Sequence, residues 1–306
     1  MKYLFSLLFI ASISLSSQAQ KLKLALHLVK GNTYNMVTHT TSAIKQTING
    51  QENNIEITIT GSTSFKVLNG NDSLYYMEVN YKSLGLKMQL PNGPVSYDSQ
   101  KKDPNDFMSG ILAGLVNKPF TATFTKSGRV KSVENVENMI SSVLDSFPQV
   151  QGPQKDQIKN QFLQSFGAKA IKGSIELATA VFPETPVSKN DKWTINTSLE
   201  SAMSAKTSTV YQLTDISPTS YVIHGEGTLA TDASADFKQV SNMPMKYNMT
   251  GTMTADIKAD KVTGWISESK SKQVISGTVD IKDNPKVPGG VSFPMSVVNE
   301  SVTTDK

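Results

Sequence analysis

The stretch FTATFTKSGRVKSVENVENMISSVLDSF, Phe120 to Phe147, decides the fold. It opens with strand-like residues and reverses at a tight Ser127-Gly128 turn. It then changes period. From Val136 onward the apolar residues Val136, Ile140, Val143, Leu144 and Phe147 fall on one helical stripe, and Glu134 and Glu137 favour the positive end of the helix dipole. Pro148 stops the helix. A hairpin that feeds an amphipathic helix needs a sheet for the helix to lie on. The hairpin grammar returns in MTADIKADKVTGWIS, Met253 to Ser267, with a turn placed at Ala259-Asp260.

Two more pairs of segments recur in the same order. KGNTYNM (Lys30 to Met36) is matched by KNDKWTI (Lys189 to Ile195), and STSFKVLNGNDSLYYMEV (Ser62 to Val79) by STVYQLTDISPTSYVIHG (Ser208 to Gly225). The expectation is an internally duplicated structural unit, with the two hairpins equivalent in one antiparallel sheet and related by an approximate two-fold. Ile140 should then be buried. Arg129, the chain's single arginine, should sit at an exposed turn end and be dispensable for stability.

Strand signals fill the flanks. KLKLALHLV reads as a half-buried strand with Leu22, Leu24, Leu26 and Leu28 on one face. TYNMVTHTTSAIKQTI, NNIEITITG with Ile55, Ile57 and Ile59, and SLGLKMQLP with Leu84, Leu86, Met88 and Leu90 follow, Ser and Thr filling many opposite-face positions. The middle, about 103–182, is helical. Asp103-Pro104 reads as a cap and first helical position, followed by Phe107, Ile111 and Leu115 at helical spacing, with Gly110 and Gly114 allowing close approach. Further stripes are Ile158, Phe162, Leu163 and Phe166, then Ile171, Ile175, Ala178 and Phe182. Strands resume at Trp193, and Asn284 to Gly290 is a loop before the last of them. Strands, helices, strands: the expected class is α+β, mainly β. A large curved antiparallel sheet, half-barrel-like and internally duplicated, should carry the central helices on its concave face.

Residues 1–19 of the 306 read as a secretory signal peptide, with a positive start at Lys2, an apolar run from Tyr3 to Leu15, and cleavage between Ala19 and Gln20. That run falls short of the ~20 residues a spanning helix needs, as does every later segment. Residues 20–306 are expected to form a single β-rich domain, soluble in the periplasm or outside the cell. Without cysteines the chain has neither a lipidation site nor disulfides, so its core alone must hold it.

Chemistry is sparse. The formal charge is +4, but the basic residues are scattered and nearly all lysine, which excludes a nucleic-acid site built on clustered Arg and aromatics. His27, His39 and His224 are isolated, so no metal is expected. No phosphate-binding glycine loop or nucleophile elbow occurs, and no cofactor or catalytic residue is assigned.

The order of KGNTY, FTATFTKSGRVKSV before a helix, VFPETPVSKNDKW from Val181 to Trp193, and a late hairpin with DKVTG resembles a family of exported Bacteroidota proteins catalogued as a domain of unknown function. That family usually has Gly-Asp before the Trp, where this chain has Asn190-Asp191. The architecture is also similar to lipoprotein-carrier half-barrels, a likeness of fold alone. The expected function is a non-enzymatic exported protein holding a lipophilic molecule or lipidated partner. The apolar lining would be Phe107, Ile111, Leu115, Ile140, Phe162 and Phe166. A structural or protein-interaction module of the cell envelope with a filled core is the alternative, and a hydrolase the third reading.

Overall fold

The computed structural model describes residues 21–306 apart from 102, 104, 149–150, 200–202, 233, 235 and 241–242. The predicted leader therefore lies outside the described residues. The first half comprises β1 (Thr33–Ile48), β2 (Gln51–Gly70), β3 (Leu74–Leu90), β4 (Gly93–Asp98), α1 (Phe107–Leu115), β5 (Phe120–Thr125) and β6 (Val130–Glu134). Three helices follow: α2 (Val136–Asp145), α3 (Gly152–Phe166) and α4 (Ala168–Thr179). The second half holds β7 (Lys192–Leu199), β8 (Ala205–Ile216), β9 (Ser220–Thr231), β10 (Lys238–Val240), β11 (Met243–Asp260), β12 (Ile266–Ile281) and β13 (Val291–Thr304).

All of these strands join one sheet in the order β6-β5-β3-β2-β1-β13-β12-β11-β9-β8-β7, with β4 on β3 and β10 on β11. Every pairing is antiparallel, so strand directions alternate along the row. The run β6-β5-β3-β2-β1 is consequently repeated by β12-β11-β9-β8-β7 in the same order and the same direction. A rotation about an axis parallel to the strands would produce this arrangement. The repeat reaches single residues: Gly31 and Asn190, at matching places before β1 and β7, both have positive φ, 87° and 72°. The second hairpin turns two residues later than its sequence suggests. Asp260 Oδ1 accepts the backbone N–H groups of Val262 and Thr263, and Gly264 supplies the left-handed residue.

The two junctions of this duplicated sheet differ. Between β12 and β1 the extra strand β13 completes the pairing. Between β6 and β7 no strand of the described residues intervenes, and the sheet stays open there, with α4 lying against both edges. On the β6 side, Thr179 Oγ1 donates to Gly128 O at 2.7 Å. On the β7 side, Gly173 lets the helix approach so closely that a Cβ there would sit 3.2 Å from Ser198 O. Arg129 ties all three together: its Nη1 meets Glu176 Oε1 of α4 at 3.2 Å and Asn196 O of β7 at 2.9 Å. Its side chain is only 34% exposed. The arginine thus spans the seam, where the sequence suggested a free charge at a turn. Neighbouring residues give no hint of a partner 67 positions away.

KLKLALHLV also differs from its sequence reading. Apart from a lone bridge between Leu22 and Val187 it pairs with no strand. It runs extended across one end of the sheet, where Leu26 N donates to Lys126 O and His27 N to Thr263 O. Leu24, Leu26 and Leu28 are buried as a plug, and Tyr75 Oη bridges Leu28 N and Leu26 O. Alternation correctly marks the buried face but does not say whether the backbone pairs.

The core lies at this plugged end. Phe65, Val67, Met77, Val79, Phe120, Ala122 and Phe124 of the concave face meet Ile111, Leu112 and Leu115 of α1 and Val136, Met139, Ile140, Val143 and Leu144 of α2. Each of these α2 side chains contributes roughly 1.5–3 kcal/mol by leaving water. α1 begins at Phe107 with Asp106 as its cap, three residues after the predicted Asp103; Asp106 accepts from both the N–H and the hydroxyl of Ser109. α1 approaches α2 closely: a Cβ at Gly110 would contact Phe147, and one at Gly114 would lie 2.7 Å from Val143 Cγ1.

Substitutions at the turns and seam separate these devices. Gly128 has φ +84°, and a Cβ there would lie 1.9 Å from Thr179 O, so Gly128→Ala should cost at least ~3 kcal/mol. Gly31→Asn should be nearly neutral in the same thermal melts, because the site is open and Asn190 holds the equivalent conformation. Arg129→Ala should cost about 1–2 kcal/mol, the worth of a charge-assisted bond discounted for partial exposure. An unchanged melting temperature for Arg129→Ala would show that the seam does not depend on it.

Candidate functional site

Beyond the core, the concave face and α4 do not meet. Between them lies a cleft of about 640 Å³, within the ~300–1,000 Å³ range of small-molecule sites. Its roof is Phe166 of α3 with Ala170, Ile171, Ser174, Ile175, Leu177 and Ala178 of α4. Its walls are apolar: Ile59, Phe65, Leu84 and Phe120 on one side, Met253, Ala255, Ile257, Leu199 and Tyr211 on the other. Ile59 is 48% exposed and marks the open rim. The same face continues beyond it, by register, into Ile57, Leu86, Met88 and Val95.

The floor is polar and uncharged. On adjacent strands the register sets Thr38, Thr303 and Ser269 in one row, Thr40, Ser301 and Ser271 in the next, and Ser42, Asn299 and Gln273 in the third. All line the cleft. Thr38 and Thr303 share a hydrogen bond of 3.1 Å, Thr40 and Ser301 one of 2.8 Å, and Asn299 Nδ2 donates to Gln273 Oε1 at 3.1 Å. Among the described residues, no Asp, Glu, Lys, Arg or His lines the cleft. Charge stays outside: on β12, Glu268, Lys270 and Lys272 alternate with Ser269, Ser271 and Gln273 and point to the convex face.

The two cleft tyrosines are neutral as well. Burial pushes the Tyr211 phenol up to about 12 and that of Tyr81 further above its ordinary range. His224 stands on the convex face between Asp256, 2.7 Å from its Nδ1, and Glu226; the hydrogen bond to Asp256 raises its pKa. Among the described residues no group of three or more His, Cys, Asp or Glu could hold a metal.

Of the six residues assigned to the lining from the sequence, Phe166 lines the cleft. Ile111, Leu115, Ile140 and Phe162 are buried in the core cluster. Phe107 packs against that cluster and stacks edge-on to Phe147. Sequence reading passed over the floor. Its signal was present: THTTS, SKSKQ and NESVT each place uncharged polar residues at alternate positions. On β1, β12 and β13 these positions face inward.

Fold and cleft together define an open antiparallel barrel roofed by a helix. The chain belongs to a family of unknown function (DUF6263), whose model matches residues 72–266. No curated protein matches it. Among solved structures, one of lipovitellin concerned with lipid–protein interactions is similar over 91% of this chain and 25% of its own, at 10% identity and a TM-score of 0.48. The chain thus spans about a quarter of that protein's length. The COG4313 outer membrane channel from Pseudomonas putida F1 is 8% identical over 92% of this chain and 97% of its own, with a TM-score of 0.24. A DUF1329 family protein from Desulfovibrio piger ATCC 29098 is 6% identical over 89% of this chain and 85% of its own, with a TM-score of 0.15. No helix among the described residues is long and apolar enough to cross a membrane.

Alkaline titration tests the electrostatics of the cleft. A phenol whose folded pKa lies above its unfolded value of ~10 favours the folded state fully below pH ~10, and that contribution is lost as pH rises through the folded pKa. Absorbance of the phenolates should therefore show a late step near pH 12 that Tyr211→Phe removes. Titration of every tyrosine near pH 10 in the folded protein would contradict a dry wall at Tyr211.

Proposed function

We propose that this protein is a non-enzymatic binding protein that holds one lipophilic molecule in the cleft between α4 and the concave sheet. The observation that carries the reading is the lining: room for a ligand, a mainly apolar roof and walls, and no charged side chain among the described residues. Catalysis by acid–base or nucleophilic chemistry needs a titratable partner at hand, and the Ser and Thr hydroxyls of the floor have none beside them. The apolar leader supports export, with cleavage between Ala19 and Gln20 leaving residues 20–306 to work as one domain in the periplasm or outside the cell.

Native mass spectrometry of protein purified without detergent tests this. The expected result is a mass increment that organic solvent removes and that is lost in Ala178→Trp, whose indole would occupy the space beneath α4. A bare mass, with no saturable uptake of either an acidic or a neutral fluorescent acyl probe, would overturn the reading.

A further inference from the structure

The floor of the cleft is a polar island in an apolar surface. By register its nine side chains are bordered on β2 by Ile57 and Ile59 and on β11 by Met253, Ala255 and Ile257. Along the strands they end at Met36 on one side and at Ile44, Val297 and Ile275 on the other. Ile44, Val297 and Ile275 belong to a second, separate apolar cluster with Leu229 and Met249. A concave face built only to be filled would continue the apolar pattern of its two ends across the middle.

Resting on the binding reading above, we propose that the ligand is a neutral amphiphile. Its acyl or alkyl chain lies against α4, and its uncharged polar part, an ester, hydroxyl or amide, hydrogen-bonds to the Ser/Thr/Asn/Gln floor. Each hydroxyl can donate once and accept twice, and each amide does both, so the floor offers donors and acceptors side by side. The bonds within it occupy only part of that capacity: Thr40 with Ser301, Thr38 with Thr303, and Asn299 with Gln273. A free carboxylate or a phosphate would enter a mainly apolar site with no cation to pair it among the described residues. An ammonium head would meet no carboxylate. The site therefore selects acylated polyols and long-chain alcohols against fatty acids and charged phospholipids.

Three pyrene-labelled dodecyl probes of equal chain length test this on the wild-type protein at pH 7.5: the glycerol monoester, the free acid and the alkane. The monoester should bind at least about tenfold more tightly than either of the others. Affinity for the acid should recover as pH falls through the carboxyl pKa, roughly 4–5, while that for the monoester stays constant. The pair Thr40→Val with Ser301→Ala should weaken the monoester about tenfold and leave the alkane unchanged, so a folding defect would be recognised by loss of both. Equal affinity for monoester and alkane, or tighter binding of the acid at pH 7.5, would overturn the neutral-headgroup inference while leaving lipophilic binding intact. Failure of all three probes to bind would overturn both.

Discussion

Everything in this structure follows from one unpaired junction. A duplicated antiparallel sheet presents two ends, and each end exposes backbone donors and acceptors that must be paired, covered or protected. One junction is completed by β13, which has no counterpart in the other half among the described residues. The other is bridged by α4, which lies against β6 and β7 and is held by Thr179, Glu176 and the close approach at Gly173. A helix and a strand are not interchangeable fillers. With an overall diameter of about 10–12 Å, a helix wedged at the rim stands off from the opposite wall, and the cleft is the space left beneath it.

The same geometry explains the division of the interior. At the end plugged by Leu24, Leu26 and Leu28, α1 and α2 press their apolar stripes onto the sheet and leave no room. Further along, α4 and Phe166 at the end of α3 face the strands, and the side chains of the floor are polar and uncharged: Thr, Ser, Asn and Gln. Such side chains opposite a helix cannot close a gap that Phe65 and Phe120 close nearer the plug. Composition of the concave face thus sets both the position and the chemistry of the cleft. The outer face carries the charges, as at Glu268, Lys270 and Lys272 of β12.

Much of this was legible in the sequence, for physical reasons. Hairpin turns are encoded locally, and the matching segments around Phe120 and Met253 do occupy equivalent places in one sheet. Helix α2 ends just before its breaker Pro148, and α1 begins near its expected start, although it is capped by Asp106 and not Asp103. What remained hidden depends on contacts between distant segments. An alternating run such as KLKLALHLV declares its buried face but cannot declare whether its backbone is paired. A helical stripe such as Phe107, Ile111 and Leu115 declares a buried face but not whether protein or empty space lies opposite. The floor was hidden because Ser and Thr alternate equally well on a wetted face and on the inner face of a cleft. Only the pairing of β13 with both β1 and β12 brings three separate triplets into one surface. Arg129 finds its partners at 176 and 196 for the same reason.

The central claim is that α4 is a separable roof over an otherwise continuous sheet, secured at the seam. Hydrogen exchange, followed residue by residue in the wild type and in Arg129→Ala, addresses it most directly. Loosening the seam should speed exchange in α4 and along β6 and β7 together, as one cooperative unit, while β1, β12 and β13 keep their protection. Equal acceleration across the whole sheet, or none in α4, would show that the helix is an ordinary part of the core and not the closure on which the cleft depends.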